Sequence, residues 1–193
     1  MSDPENVTPS AERVAGLFDH PLTSYAHLSD CGNYRYTLGR RWDEGPTATF
    51  VMLNPSTADA SQDDPTIRRC IGFAKAFGCG GLHVVNLYAF RATKPADLWK
   101  APDPIGPEND ETLRSTFLTA YGEGSPVIAA WGANADPLRA RFVEVIARAA
   151  GVTLAALGVT KNSAPRHPLY LPATAAPVPW TSVIPPASTE ADS

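Results

Sequence analysis

The sequence predicts an α/β fold, a three-layer sandwich in which helices cover both faces of a mainly parallel central sheet. Three observations carry this expectation. Apolar runs of strand length recur at residues 48–53, 81–88, 126–131 and 152–157. Segments with apolar residues at helical spacing separate them. The two kinds alternate, as in β-α-β units, whose crossovers make neighbouring strands parallel.

The elements follow in order. Residues 1–12 are polar and acidic, and predict a disordered N-terminus. Tyr34 to Trp42 reads as an early strand, closed by a turn at Asp43-Glu44-Gly45-Pro46. Residues 48–53 read as a buried strand that ends abruptly at Asn54-Pro55-Ser56. Asp64 caps the next helix and Pro65 fits its first position. Ile67, Cys70, Ile71, Phe73, Ala74 and Phe77 supply its apolar spacing, and Gly78 to Gly81 stops it. Gly81 to Tyr88 is the following strand. A Pro-rich loop over 91–108 holds a short turn at Ala96 to Trp99. Helices are predicted over 108–121 and 136–150, with strands at 126–131 and 152–157. Residues 13–172 therefore form one domain, and 173–193 a Pro/Ala-rich tail that is extended or disordered.

Composition bounds the function. A chain of 193 residues can bury a core without disulfides or metals. Cys31, Cys70 and Cys79 form no CxxC pair, so neither a metal nor an iron–sulfur site is expected. No cofactor is expected either, because no GxGxxG or phosphate-binding loop is present. No apolar run approaches the ~20 residues that span a bilayer, and the N-terminus does not resemble a secretory signal. The expectation is a cytoplasmic monomer with no membrane partner. The net charge of −4 argues against coating nucleic acid by bulk electrostatics. Basic pairs still stand near predicted turns and helix starts: Arg40 with Arg41, Arg68 with Arg69, Arg91 with Lys94, and Lys161 with Arg166. They can line a phosphate track or be ordinary solvated charge.

Open parallel sheets bind ligands beyond the carboxyl ends of their strands. The polar residues at those exits are thus the site candidates. Asn54 can orient a water or simply start a turn. Asp59, Asp63 and Asp64 follow it, and Asp63 is the freest candidate base because Asp64 is a helix cap. Asn86 lies inside an apolar strand, where a buried amide needs partners. It is either a satisfied core residue or a reader of a ligand edge. His167 is the best placed of the four histidines to donate to a developing anion or to move a proton. His20 and His27 precede the predicted core, and His83 faces one side of a strand. A triad of Ser56, His167 and an aspartate lacks the GxSxG elbow that such a nucleophile needs.

Four segments together resemble a known superfamily. Leu53-Asn54-Pro55-Ser56-Thr57-Ala58 is similar to the Gly-hydrophobic-Asn-Pro-Gly motif of uracil-DNA glycosylases. Val84-Val85-Asn86-Leu87 resembles the strand ending in their base-reading Asn. Residues 127–135 resemble their Leu-Leu-Trp-Gly-x-x-Ala junction, and Arg166-His167-Pro168-Leu169 their His-Pro-Ser-Pro loop. The order is the superfamily's, over about residues 48–172. The run Met52 to Asp59, followed by Asp64 to Arg68, is also typical of a bacterial and phage domain family of unknown function. Its neighbourhood includes phage-defence glycosylases that act on hypermodified cytosine, such as glucosylated hydroxymethylcytosine. Two departures stand out. Ser56 replaces the first motif's last glycine, and Leu169-Tyr170 replaces Ser-Pro.

The resemblance implies a uracil-DNA glycosylase-like fold and a monofunctional DNA glycosylase that flips a modified base out of DNA and leaves an abasic site. Asn54 and His167, with Asp63, would be catalytic. Asn86, Phe73, Phe77 and Tyr88 would bind the base, although core packing is the alternative for both phenylalanines. Ser56, Arg68, Arg69, Arg91 and Arg166 would hold the DNA. Two rivals remain: an N-glycoside hydrolase of free nucleosides or nucleotides, favoured by the acidic charge, and a non-catalytic reader of modified DNA.

Overall fold

The computed structural model describes residues 23–56, 58 and 60–182. The N-terminal segment expected to be disordered, His20, Asp59 and the tail beyond 182 lie outside the described residues. The elements run β1 (Thr23–Leu28), β2 (Arg35–Arg41), β3 (Thr47–Met52), α1 (Pro65–Ala76), β4 (Gly81–Asn86), α2 (Pro95–Leu98), α3 (Asn109–Glu123), β5 (Val127–Ala129), α4 (Pro137–Ala149), β6 (Ala155–Ala156) and β7 (Val178–Pro179). A 3-10 turn, Pro168–Tyr170, lies between β6 and β7.

One seven-stranded sheet has the order β1-β2-β4-β3-β5-β6-β7. It is mixed, where the sequence predicts a mainly parallel one. β3 pairs in parallel with β4 and with β5, and β5 with β6. The β1–β2, β2–β4 and β6–β7 pairings are antiparallel. The physical reason is connectivity. Strands joined through helices are parallel, whereas β1 reaches β2 through a short turn and the C-terminal segment folds straight back along β6.

Side-chain alternation along the strands divides the interior into two clusters. Ala48, Phe50 and Met52 of β3 and Leu82 and Val84 of β4 pack with Ile67, Cys70, Phe73 and Ala74 of α1. Val51, Val85 and Leu87 point the other way and meet Leu113 and Phe117 of α3 and Val143 of α4. Complete burial of each such Leu or Phe contributes roughly 1.5–3 kcal/mol. The helix starts are as the sequence predicts. Asp64 accepts the Ile67 amide at 2.8 Å and Asp136 the Leu138 amide at 2.9 Å, each followed by proline. Among the described residues no helix is long and apolar enough to cross a membrane.

The fold continues past the expected domain end at 172. The Trp180 amide donates to Leu154 O at 2.8 Å and its indole N–H to Ser163 O at 2.8 Å. Its ring meets Trp131 edge to face, 5.1 Å between centroids. The Ser182 amide and hydroxyl both donate to Glu144, which also pairs with Arg141 and Arg148. Composition hides this strand because prolines and alanines surround its one large side chain.

His83, on the α3 side of β4, carries a pH signature. Burial lowers its pKa from 6.5 to about 4, against a weaker opposing pull from Glu123. Protonation therefore favours the unfolded chain. The stability from neutral His83 is complete above pH 6.5 and is lost as pH falls through about 4. The full effect is about 3 kcal/mol. Urea midpoints measured from neutrality down to pH about 4 should fall more steeply for the wild type than for His83→Gln. Parallel curves would show that His83 carries no such dependence.

Candidate active site

The strand order reverses at β3: β4 lies on one side of it and β5 on the other. Such a switch point opens a crevice at the carboxyl ends of the strands. A cavity of about 630 Å³ lies there, lined by the exits of β3, β4 and β5, the start of α1 and the His167 loop. Asn54, Ser56, Asn86, Arg166 and His167 all line it. Five candidates from three distant segments thus meet around one cavity.

Asn54 is held in a defined orientation. Its Nδ2 donates to Pro55 O at 2.9 Å and to Ala92 O at 2.7 Å. Two carbonyl acceptors require the NH2 end, which leaves Oδ1 as the acceptor. The Ala92 amide donates back to Pro55 O at 3.1 Å, so the two loops brace each other.

Asn86 is 1% exposed, and neither Oδ1 nor Nδ2 has a hydrogen-bond partner among the described residues. An unpaired buried amide costs about 1–3 kcal/mol per polar group. The backbone beneath it, by contrast, is fully engaged. Asn109, the first residue of α3, donates from Nδ2 to Asn86 O at 3.1 Å and to Leu87 O at 3.0 Å. Arg139 Nε adds a bond to Leu87 O at 2.8 Å, and its guanidinium pairs with Asp110 at 2.6 Å. α3 and α4 therefore fix the strand exit, while both polar atoms of the amide face the cavity wall without a partner among the described residues.

His167 caps the 3-10 turn: the Leu169 amide donates to its Nδ1 at 3.3 Å. In the neutral ring the proton then sits on Nε2, which becomes the donor. Burial lowers the His167 pKa, and the charge of Asp64 pulls the other way. Gly132, at φ +80°, brings the β5 exit against this loop; a Cβ there would lie 3.6 Å from His167 Cβ.

Other candidates stand elsewhere. Phe73 is buried in the α1 cluster and stacks on the half-buried Phe77 at 6.1 Å. Tyr88 is buried on the opposite face against Trp99. None of the three lines the cavity. Their apolar periodicity is that of core residues. Asp63 is also absent from the lining. Arg40 contacts its carboxylate through Nε and Nη2, both at 2.9 Å. The carboxylate in the cavity is Asp64, the helix cap. Arg69 donates to Leu171 O and lies over the Phe73 ring, and Arg91 donates to Gly32 O at 3.1 Å. Both act as internal braces rather than lining the cavity. Arg68 and Arg166 are exposed, Arg68 bonding Asp63 O and Arg166 bonding Tyr170 O.

The structure adds residues the sequence reading passed over. Arg35, at the start of β2, is 3% exposed, lines the cavity and donates to Ala58 O. Thr66 is a second such residue, and Trp131 and Asn134, from the 127–135 junction named above, complete the polar and aromatic walls. No local pattern marks Arg35, because its burial depends on the loop after Asn54 closing over it.

A family model described as "Protein of unknown function (DUF1643)" matches residues 35–169. Neither a curated protein nor a solved structure matched the chain.

Proposed function

The chain belongs to the DUF1643 family, and from the geometry of its cleft we propose that it hydrolyses the N-glycosidic bond of a modified base in DNA. On this reading the mixed sheet and its two hydrophobic clusters form a three-layer, uracil-DNA glycosylase-like domain. The observation that carries it is the Asn86 carboxamide, buried on the cavity wall with donor and acceptor both unpaired. Such a group matches the polar edge of a flipped-out base.

The rest of the cleft supplies the chemistry. Water adds to the sugar C1′ as the bond to the base breaks, and the bonding electrons leave with the base. Asn54 Oδ1 orients the water. Neutral His167 donates from Nε2 to the base oxygen on which negative charge grows. Asp64 receives the proton that water releases. Asp63, held by Arg40, has no part in it.

A second reading is an N-glycoside hydrolase of free nucleosides or nucleotides. The arginines favour it: with Arg69 and Arg91 used internally, Ser56, Arg68 and Arg166 are what remains of the five residues expected to hold DNA. Incubation with DNAs carrying different modified pyrimidines, and with the matching nucleosides, separates the readings. Free base detected by mass spectrometry from DNA alone supports the first. Release from nucleosides alone supports the second. No release from any substrate overturns both.

The pH–rate profile gives a further check. Protonation of His167 removes Nδ1 as acceptor for the Leu169 amide. Because burial lowers its pKa, the acid limb should lie below pH 6.5 and vanish in His167→Gln, which keeps a donor. A limb at or above 6.5, or one retained in the glutamine variant, would exclude this role.

A further inference from the structure

A second cavity, of about 520 Å³, lies between α3 and the sheet face turned away from α1. Its lining is unusual for a space beneath a helix. The strands present Thr37, Thr47 and Thr49, and α3 presents Thr112, Thr116 and Thr119. Thr49 and Thr116 are buried, 3% and 6% exposed. Apolar side chains at these positions would extend the neighbouring core, so hydroxyls here forgo burial that would stabilise the fold.

Several of the hydroxyls already donate within the protein. Ser115 bonds Thr112 O, Thr119 bonds Ser115 O, and Ser125 bonds Glu123. His83 also lines the cavity, and its Nε2 is buried and has no hydrogen-bond partner among the described residues. A buried ring nitrogen without a partner points to a ligand group or an ordered water.

The chemistry of the walls selects the ligand class. No lysine or arginine lines the cavity, and Glu123 does. Phosphates and carboxylates are therefore disfavoured. Hydroxyls both donate and accept, and so match other hydroxyls. The volume falls within the range of small-molecule sites. We propose that this cavity binds a small neutral polyol of the sugar or cyclitol type, with His83 Nε2 hydrogen-bonded to one of its hydroxyls. The proposal is independent of the glycosylase reading, because the cavity shares no residue with the cleft.

Sugars at high concentration stabilise proteins by exclusion from their surface, so thermal shifts are a poor test. NMR of the His83 imidazole in the full chain avoids this. D-glucose, D-ribose and myo-inositol are titrated separately, with inorganic phosphate as the anionic comparison. The expected result is a saturable shift of the His83 resonance with at least one polyol in the millimolar range, and none with phosphate. Thr49→Val and Thr116→Val keep side-chain shape and remove a hydroxyl each. Together they should weaken binding about tenfold and leave cleft activity unchanged. The proposal is overturned if no polyol moves the His83 signal, if phosphate moves it equally, or if the folded double variant binds as tightly as the wild type. Should the double variant fail to fold, the wild-type titration still decides.

Discussion

Asn54→Ala is expected to lower the single-turnover rate of base release by about 10²–10³-fold, with little change in substrate affinity. The prediction follows from what the side chain touches. Both Nδ2 hydrogens go to the Pro55 and Ala92 carbonyls, and only Oδ1 is left to hold a water. Asn54→Asp is the sharper test. It keeps an acceptor but sets a carboxylate against two carbonyl oxygens, so the brace between the loops is lost. It should therefore fail to restore the rate and should also lower the melting temperature. A rate near wild type in Asn54→Ala would remove Asn54 from the mechanism, and one in Asn54→Asp would show that the brace through Nδ2 is not needed for it. The affinity arm matters as much: a large loss of binding with an unchanged rate would make Asn54 a ligand contact instead.

Trp180→Ala should cost about 3–5 kcal/mol, the range for deleting a large buried aromatic. For a domain of this size that corresponds to a fall in melting temperature of roughly 10 °C. The residue lies in a segment whose composition predicts a tail, so a surface position would give almost no effect. Trp180→Phe separates the two contributions. It keeps a ring against Trp131 and loses the bond to Ser163 O, a difference of about 1 kcal/mol. A chain ending at Pro172 should lose more than either variant, because it also lacks the Ser182 bonds to Glu144. Trp131 lines the cleft, so the damage should reach substrate binding. Thermal melts of the three proteins decide the matter, and a truncated chain as stable as the full one would refute it.

Much of the core was legible because its cause is local. The runs at 48–53, 81–88 and 126–131 are mostly apolar, as buried strands must be. Asp64-Pro65 and Asp136-Pro137 announce helix starts by capping chemistry that needs no distant partner. The edges were not legible. β1 is half-exposed and has no apolar run, and β7 has two residues; both exist because a neighbouring strand offers them a ladder. The same division applies to the cleft. Asn54 and Asn86 stand at strand exits and His167 in the loop after β6, where architecture alone nominates them. Asp63 reads as a free carboxylate because Arg40, the residue that pairs with it, comes from β2, far off in the sequence. Phe73 and Phe77 could be base platforms only if α1 turned its apolar stripe away from the sheet. Arg35 went unnoticed for the opposite reason: its neighbours read as a strand, and nothing nearby shows that a loop will bury it.

Asn109 gives the cleft a mechanical dependence. One side-chain amide grips the two carbonyls beneath Asn86, and it stands at the head of α3. The place of the Asn86 amide is thus set by the seating of a helix fifteen residues long. Substitutions that only tilt or slide α3, remote from the cleft, will register as changes in substrate affinity. Directed selection for new substrates should accordingly collect changes along that helix as well as around the pocket.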